Sequence, residues 1–295
     1  MNEFAGRVAV VTGAAGGLGR AIAERAAALG MKLVLADLDS DALEMASEEL
    51  QAGGAEVLAL VCDVRKCTHV EELADAAMIR FHAVHVLFNV GSCGAPGLVW
   101  EYAEADWEAG AGANLGGAIN GVRIFAPLML GCAARDPSYR GHIVNSAALH
   151  GLAGAPALGM DNVSAHGLLA LSETLYHDLR LVDAPVTASL LCARALPARP
   201  AHAHHHRGEA HGQTLDEAGR QAVRCLVDEA LPSAPATLED VALHAFDGMA
   251  RGEFLLCADP QTLVAMAERI AALARGSAPA DPLALAPRIR AHLSR

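Results

Sequence analysis

The sequence predicts an α/β fold, a doubly wound parallel sheet of about seven strands flanked by helices. Two observations carry that prediction. Strand-length runs that are apolar throughout alternate with amphipathic stretches, which is the pattern of strands covered on both faces by helices. The first such run also leads straight into a glycine-rich turn, ThrGlyAlaAlaGlyGlyLeuGly, Thr12–Gly19. In order, Arg7–Thr12 reads as a buried strand and Gly17–Leu29 as a helix. Lys32–Ala36 is a strand, and Ser40–Gln51 a helix with Ser40 as its N-cap. Ala55–Cys62 (strand), Thr68–Phe81 (helix) and Val84–Asn89 (strand) follow. A long helix runs over Asp106–Ala133, then a strand over Gly141–Ala147 and a helix over Val163–Leu181. Val186–Leu191 and Phe254–Cys257 complete the strands. Right-handed crossovers join parallel strands, and ligands then sit at the C-terminal strand ends.

The chain has 295 residues, of which 53% are hydrophobic, enough for a large core in one unit. One domain is expected over residues 1–275, with 193–236 as a substrate-lid insertion and 276–295 as a C-terminal extension. The net charge of −12 and the absence of a basic run argue against nucleic acid or an anionic membrane as partner. The N-terminus lacks the pattern of a signal peptide, and no apolar stretch of membrane-spanning length stands out. Seven cysteines without a CxxC pair read as reduced thiols, so a cytoplasmic location is expected.

The turn supplies Gly13, Gly17, Leu18 and Gly19 as cofactor-binding candidates. Bare backbone lets a pyrophosphate approach closely, and the helix start offers free N–H groups and a positive dipole end. Asp37 follows the second strand, placed to accept from adenosine ribose hydroxyls and to repel a 2′-phosphate, which favours NAD. Arg20 complicates this, because it could face such a phosphate.

The TGxxxGxG spacing resembles that of the short-chain dehydrogenases/reductases, which have a Rossmann-type fold. The likeness continues over roughly Phe4–Leu191. It implies that Asp63 and Val64 meet adenine, that Asn89 opens the segment after the fourth strand, and that Asn114 supports a proton relay. Asn162–Leu175 resembles the family's active-site helix. Three positions depart from the family pattern. Where it has a catalytic Ser this chain has Ala148; thirteen residues on, in place of Tyr, stands Asp161; four further, in place of Lys, stands Ala165.

The resemblance therefore implies a NAD-binding protein, with the adenosine half of the cofactor favoured and ordinary hydride chemistry weakened. A silent partner or regulator is one expectation. A non-redox lyase, aldolase or isomerase using Asp161 and His150, with Asn114 and Ser146 beside them, is a second. An orthodox alcohol dehydrogenase by another route is a third. His150 has two open readings, a proton-transfer partner of Asp161 or a pocket-wall residue. The His202–His206 cluster reads as a solvated lid segment rather than a metal site, so no metal is expected. The partners expected are a small-molecule substrate and further copies, as homodimer or homotetramer, or an active relative in a hetero-oligomer.

Overall fold

A computed structural model describes residues 4–91, 96–148, 151–152, 154, 156–193, 218–219, 221, 236–258 and 260–279. Seven strands form one sheet: β1 (Val8–Thr12), β2 (Lys32–Asp37), β3 (Val57–Val61), β4 (Val86–Asn89), β5 (Gly141–Ala148), β6 (Val186–Ala193) and β7 (Leu255–Cys257). Their order is β3-β2-β1-β4-β5-β6-β7, and every neighbouring pair is parallel. The chain winds outward from β1 to β3, returns to β4 beside β1, and winds outward again to β7. The strand order thus reverses between β1 and β4, and the crevice for a ligand opens above that pair.

Period-two alternation along each strand divides the core into two layers. Val11, Leu35, Phe88 and Val144 meet Ile22 and Ala26 of α1 (Gly17–Ala28) and Phe246 and Met249 of α7 (Leu238–Arg251). Val10, Val34, Leu87 and Ile143 face the other way. They meet Leu73 and Ala77 of α3 (Cys67–Phe81), Phe125 and Met129 of α5 (Gly117–Arg135), and Leu175 and Leu179 of α6 (Gly159–Leu181). With aromatics scarce, Phe88, Phe125 and Phe246 are the largest fully buried side chains among the described residues.

Several expectations change. The cap of α2 (Ser40–Ala52) is Asp39, whose carboxylate accepts from Ala42 N at 3.1 Å, while Ser40 turns its hydroxyl to Asp41. Asp outcompetes its neighbour because its backbone is still extended there (φ −83°, ψ 99°). The long helix is α4 (Glu104–Ala111), a π-turn (Gly112–Gly116) and α5 in succession. By length and composition Glu104–Arg135 is long and apolar enough to cross a membrane, contrary to the sequence reading. Its apolarity has a local cause, since Phe125 and Met129 are fully buried against the sheet. Two helices were not anticipated, α7 and α8 (Pro260–Ala274). The described cysteines are free thiols, and Cys62, Cys132, Cys192 and Cys257 pack as small hydrophobes. Nearly all of the expected lid insertion, the His202–His206 cluster, His150 and most of the C-terminal extension lie outside the described residues.

Candidate functional site

The crevice above β1 and β4 is built from backbone. Thr12 Oγ1 donates to Val90 O at 3.0 Å and accepts from Val90 N at 2.9 Å, which ties the two strand ends together. Gly13 has a φ of +63°, and a Cβ there would lie 2.8 Å from Val90 O. A Cβ on Gly19 would collide with Gly13 O, so the helix start can approach the strand exit only without a side chain. Gly17 opens α1, and Leu18 beside it is partly buried against the core. The cap Gly16 places no side chain over the helix end, and the first turn holds no acid. The N–H groups of the first helical turn and the positive dipole end therefore face the crevice, with no acid in that turn.

Asp37 at the end of β2 closes the other side. One carboxylate oxygen accepts from Ala15 N at 2.9 Å, and the other from Leu38 N at 2.7 Å and Asp39 N at 3.1 Å. A carboxylate has about four acceptor positions, so capacity remains for a ribose hydroxyl. Arg20 is not directed at this carboxylate. Its guanidinium pairs with Glu24 at 2.7 Å and Glu49 at 2.6 Å, between α1 and α2. Both of those partners lie on the helices and not at the Asp37 carboxylate.

Beyond β3 the chain turns through Asp63, Val64 and Arg65. Asp63 is buried, and its two oxygens accept from Arg65 Nε and Nη2, each at 2.8 Å. The hydrogen-bonded Arg65 side chain holds the Asp63 carboxyl below the usual carboxylate range. Asn120 of α5 donates to Val64 O at 2.9 Å and fixes this wall of the crevice. Arg65 was not singled out from the sequence, although its position two residues after an acid was visible there. Asn89 at the end of β4 is buried and donates to Asn145 Oδ1 at 2.9 Å. Asn145 Nδ2 donates to Ser172 Oγ at 2.9 Å, and Ser172 to Leu168 O at 2.7 Å. Asn89 therefore anchors a polar chain from β4 through β5 into α6, which makes it a structural wall of the crevice.

The β5 end is different in kind. Ala148 is the last residue of the strand, and Asp161 and Ala165 lie on the first two turns of α6. Ala165 is 0% exposed, packed in an apolar cluster with Ala147, Leu152, Leu168 and Cys192. Gly151 lies against this helix. A Cβ on Gly151 would lie 2.6 Å from Asp161 O and 2.8 Å from the Ala165 Cβ. Ser146 pairs with Leu191, on the sheet face that carries Val144 and looks toward α1 and α7, and is buried there. The structure thus places Ser146 on the opposite face from α6 and does not bring it to Asp161. Asn114 lies buried in the π-turn, against Gly91 at the exit of β4. It sits at the strand-end edge of the sheet. Nearby, Tyr102 and Trp107 stack edge to face, while Trp100 is 59% exposed.

Residues 7–195 match the family described as short chain dehydrogenase. The chain belongs to that family. A structure of a short-chain dehydrogenase/reductase of Burkholderia phymatum in complex with NAD is 41% identical, covers 96% of this chain and 99% of its own, and superposes with a TM-score of 0.84. A CLA biosynthesis dehydrogenase/reductase of Lactiplantibacillus plantarum is 26% identical over 287 residues, 95% of this chain and 97% of that one. A 1-deoxy-11-beta-hydroxypentalenate dehydrogenase of Streptomyces avermitilis is 34% identical over 188 residues, 62% of this chain and 66% of that protein. For a short-chain dehydrogenase, the cradle described above is the expected dinucleotide end.

Proposed function

We propose that this chain binds NAD chiefly through its adenosine half and performs no ordinary alcohol–carbonyl hydride transfer, acting as a silent partner or regulator. The observation that carries the proposal is Ala165. Where the family resemblance places a lysine, this chain has a side chain with no exposed surface, in an apolar cluster with Leu152 and against Gly151. The binding half is supported by the Gly13–Gly19 cradle, the open α1 terminus, Asp37, and the NAD complex of the 41% identical relative. Asp37 accepts from ribose hydroxyls and repels a 2′-phosphate, so NAD is preferred to NADP.

The chemical half follows from what these side chains can donate. NAD, when bound, supplies the hydride acceptor. The chain must supply a proton partner and a charge near the carbinol oxygen. Ala148 and Ala165 have no donor, and an ionised Asp161 accepts only and repels a developing alkoxide. Losing one such group slows catalysis about 10²–10⁴-fold, and groups acting as a unit do not multiply further. The names of the relatives describe dehydrogenases and reductases, so the departure concerns this chain's side chains and not its ancestry. The same reading extends to assembly with further copies or with an active relative. The test is a panel of secondary alcohols with saturating NAD, and of ketones with NADH, followed at the nicotinamide absorbance band. Turnover absent or slowed at least about 100-fold relative to an intact family member is expected. Turnover at ordinary rates would overturn the proposal.

A further inference from the structure

At the end of the sheet opposite the crevice, one histidine closes the ladder between β1 and β4. His85 directly precedes β4, and its backbone N–H donates to Val8 O at 2.9 Å. In a parallel pair the N–H and C=O of one residue point to the same neighbour, so Val8 N also faces β4. Its partner there is a side chain, since Val8 N donates to His85 Nδ1 at 3.1 Å. On the far side, His142 N donates to His85 O at 2.8 Å and carries the link on to β5. The half-buried His85 ring stacks on Tyr139, with centroids 5.1 Å apart and planes 27° apart. Tyr139 is fixed in turn by its hydroxyl, which donates to Val84 O.

A backbone N–H only donates, so Nδ1 is the bare nitrogen and the proton of the neutral ring sits on Nε2. A second proton can go only to Nδ1, where it would point at the Val8 N–H. The imidazolium and the Val8 contact therefore exclude one another. Burial pushes the ring below the usual histidine range, and Arg7 pushes the same way, while Asp136 after α5 pulls against both. The Tyr139 phenol is pushed up by burial and stays neutral, and the His142 ring is turned to Ser189. We propose that His85 is an acid-operated latch, which when neutral fastens the first residue of β1 to β4 and when protonated lets it go. The preceding segment has contacts that do not titrate. Phe4 lies edge-on to Phe246, Gly6 N donates to Gly30 O, and Lys32 N donates to Arg7 O. The crevice end of the same strands is tied separately by Thr12 and Val90. Release is therefore local to the start of β1. The opened form binds the proton more readily than the closed one, so opening grows as pH falls.

The test follows hydrogen exchange of the full chain over Phe4–Thr12, and the ring nitrogen shifts of His85, from pH 7 to pH 4.5. Wild type is compared with His85→Asn, whose Oδ1 accepts near the position of Nδ1 at every pH, and with His85→Ala. Wild type and His85→Asn share every other titrating group, so the ratio of their exchange rates isolates this ring. That ratio should be near one at pH 7 and at least about threefold higher at pH 4.5, with no change over Val186–Ala193. His85→Ala should exchange faster than wild type at pH 7 and converge with it by pH 4.5. A ratio flat with pH, an equal rise over β6, a proton on Nδ1 at pH 7, or an alanine variant that exchanges like wild type at pH 7 would each overturn the latch.

Discussion

The two ends of one sheet edge are built from different materials. At β1 and β2 the groups that face the crevice are backbone N–H groups, glycines and one carboxylate held by three backbone donors. At β5 and α6 the corresponding positions hold Ala148, Ala165 and Asp161, with Ala165 enclosed in an apolar cluster and Gly151 against the helix. The contrast teaches that the two halves of such a site can change independently. A site made by the path of the backbone persists wherever the fold persists. A site made by a few side chains can be altered by as many substitutions while the fold persists. That is consistent with function residing in sites placed on a fold rather than in the fold itself.

The contrast breaks most visibly if a charge is put back at the apolar end. In Ala165→Lys a long charged side chain replaces a fully buried methyl in the apolar cluster, so a loss of about 3 kcal/mol or more is expected in denaturant unfolding. A midpoint equal to wild type would mean that the space is open after all. At the other end, Gly19→Val drives a side chain into Gly13 O and should weaken NADH binding about 100-fold, or roughly 2.7 kcal/mol, by calorimetry. Unaltered affinity would place the ligand elsewhere. A smaller effect is expected for Asp37→Ala. NADH should bind about tenfold more weakly while NADPH changes less, since a ribose contact is lost and a repulsion relieved. Equal losses for the two cofactors would remove Asp37 from selectivity.

A further, pH-dependent effect concerns the buried N-terminal part of β5. His142 Nε2 lies 2.8 Å from Ser189 Oγ, and burial pushes its imidazole down to about 4. The unfolded chain takes up that proton first as pH falls. The contribution is therefore complete above about 6.5 and is lost between there and about 4, with a slope of at most ~1.4 kcal/mol per pH unit. The difference in unfolding free energy between wild type and His142→Asn should narrow over that interval. A difference constant from pH 7 to 4.5 would contradict a neutral, buried His142.

The strands and the cradle were legible because they depend on local signals. Each apolar run matched a strand, and the turn from Thr12 to Gly19 sat between strand and helix. The start of α7 carried a local signal that the sequence reading missed, a capping box in which Asp240 N donates to Thr237 Oγ1 at 3.1 Å. The ion pairs that take Arg20 away from Asp37 were not legible, because Glu49 reaches it only when α1 and α2 lie side by side. Nor was the enclosure of Ala165. Sequence gave the residue type, but its burial needs Leu152 from the chain after β5, Ala147 from the sheet and α8 from much further on. Arg269 stands 103 residues beyond His166, and no local pattern pairs them.

The central claim is tested most directly by binding and turnover in one sample, with calorimetry of NADH against ADP-ribose followed by the alcohol and ketone panel at the nicotinamide band. The account predicts that the two ligands bind within about threefold of each other and that absorbance stays constant. NADH binding far tighter than ADP-ribose, with turnover at ordinary rates, would contradict it.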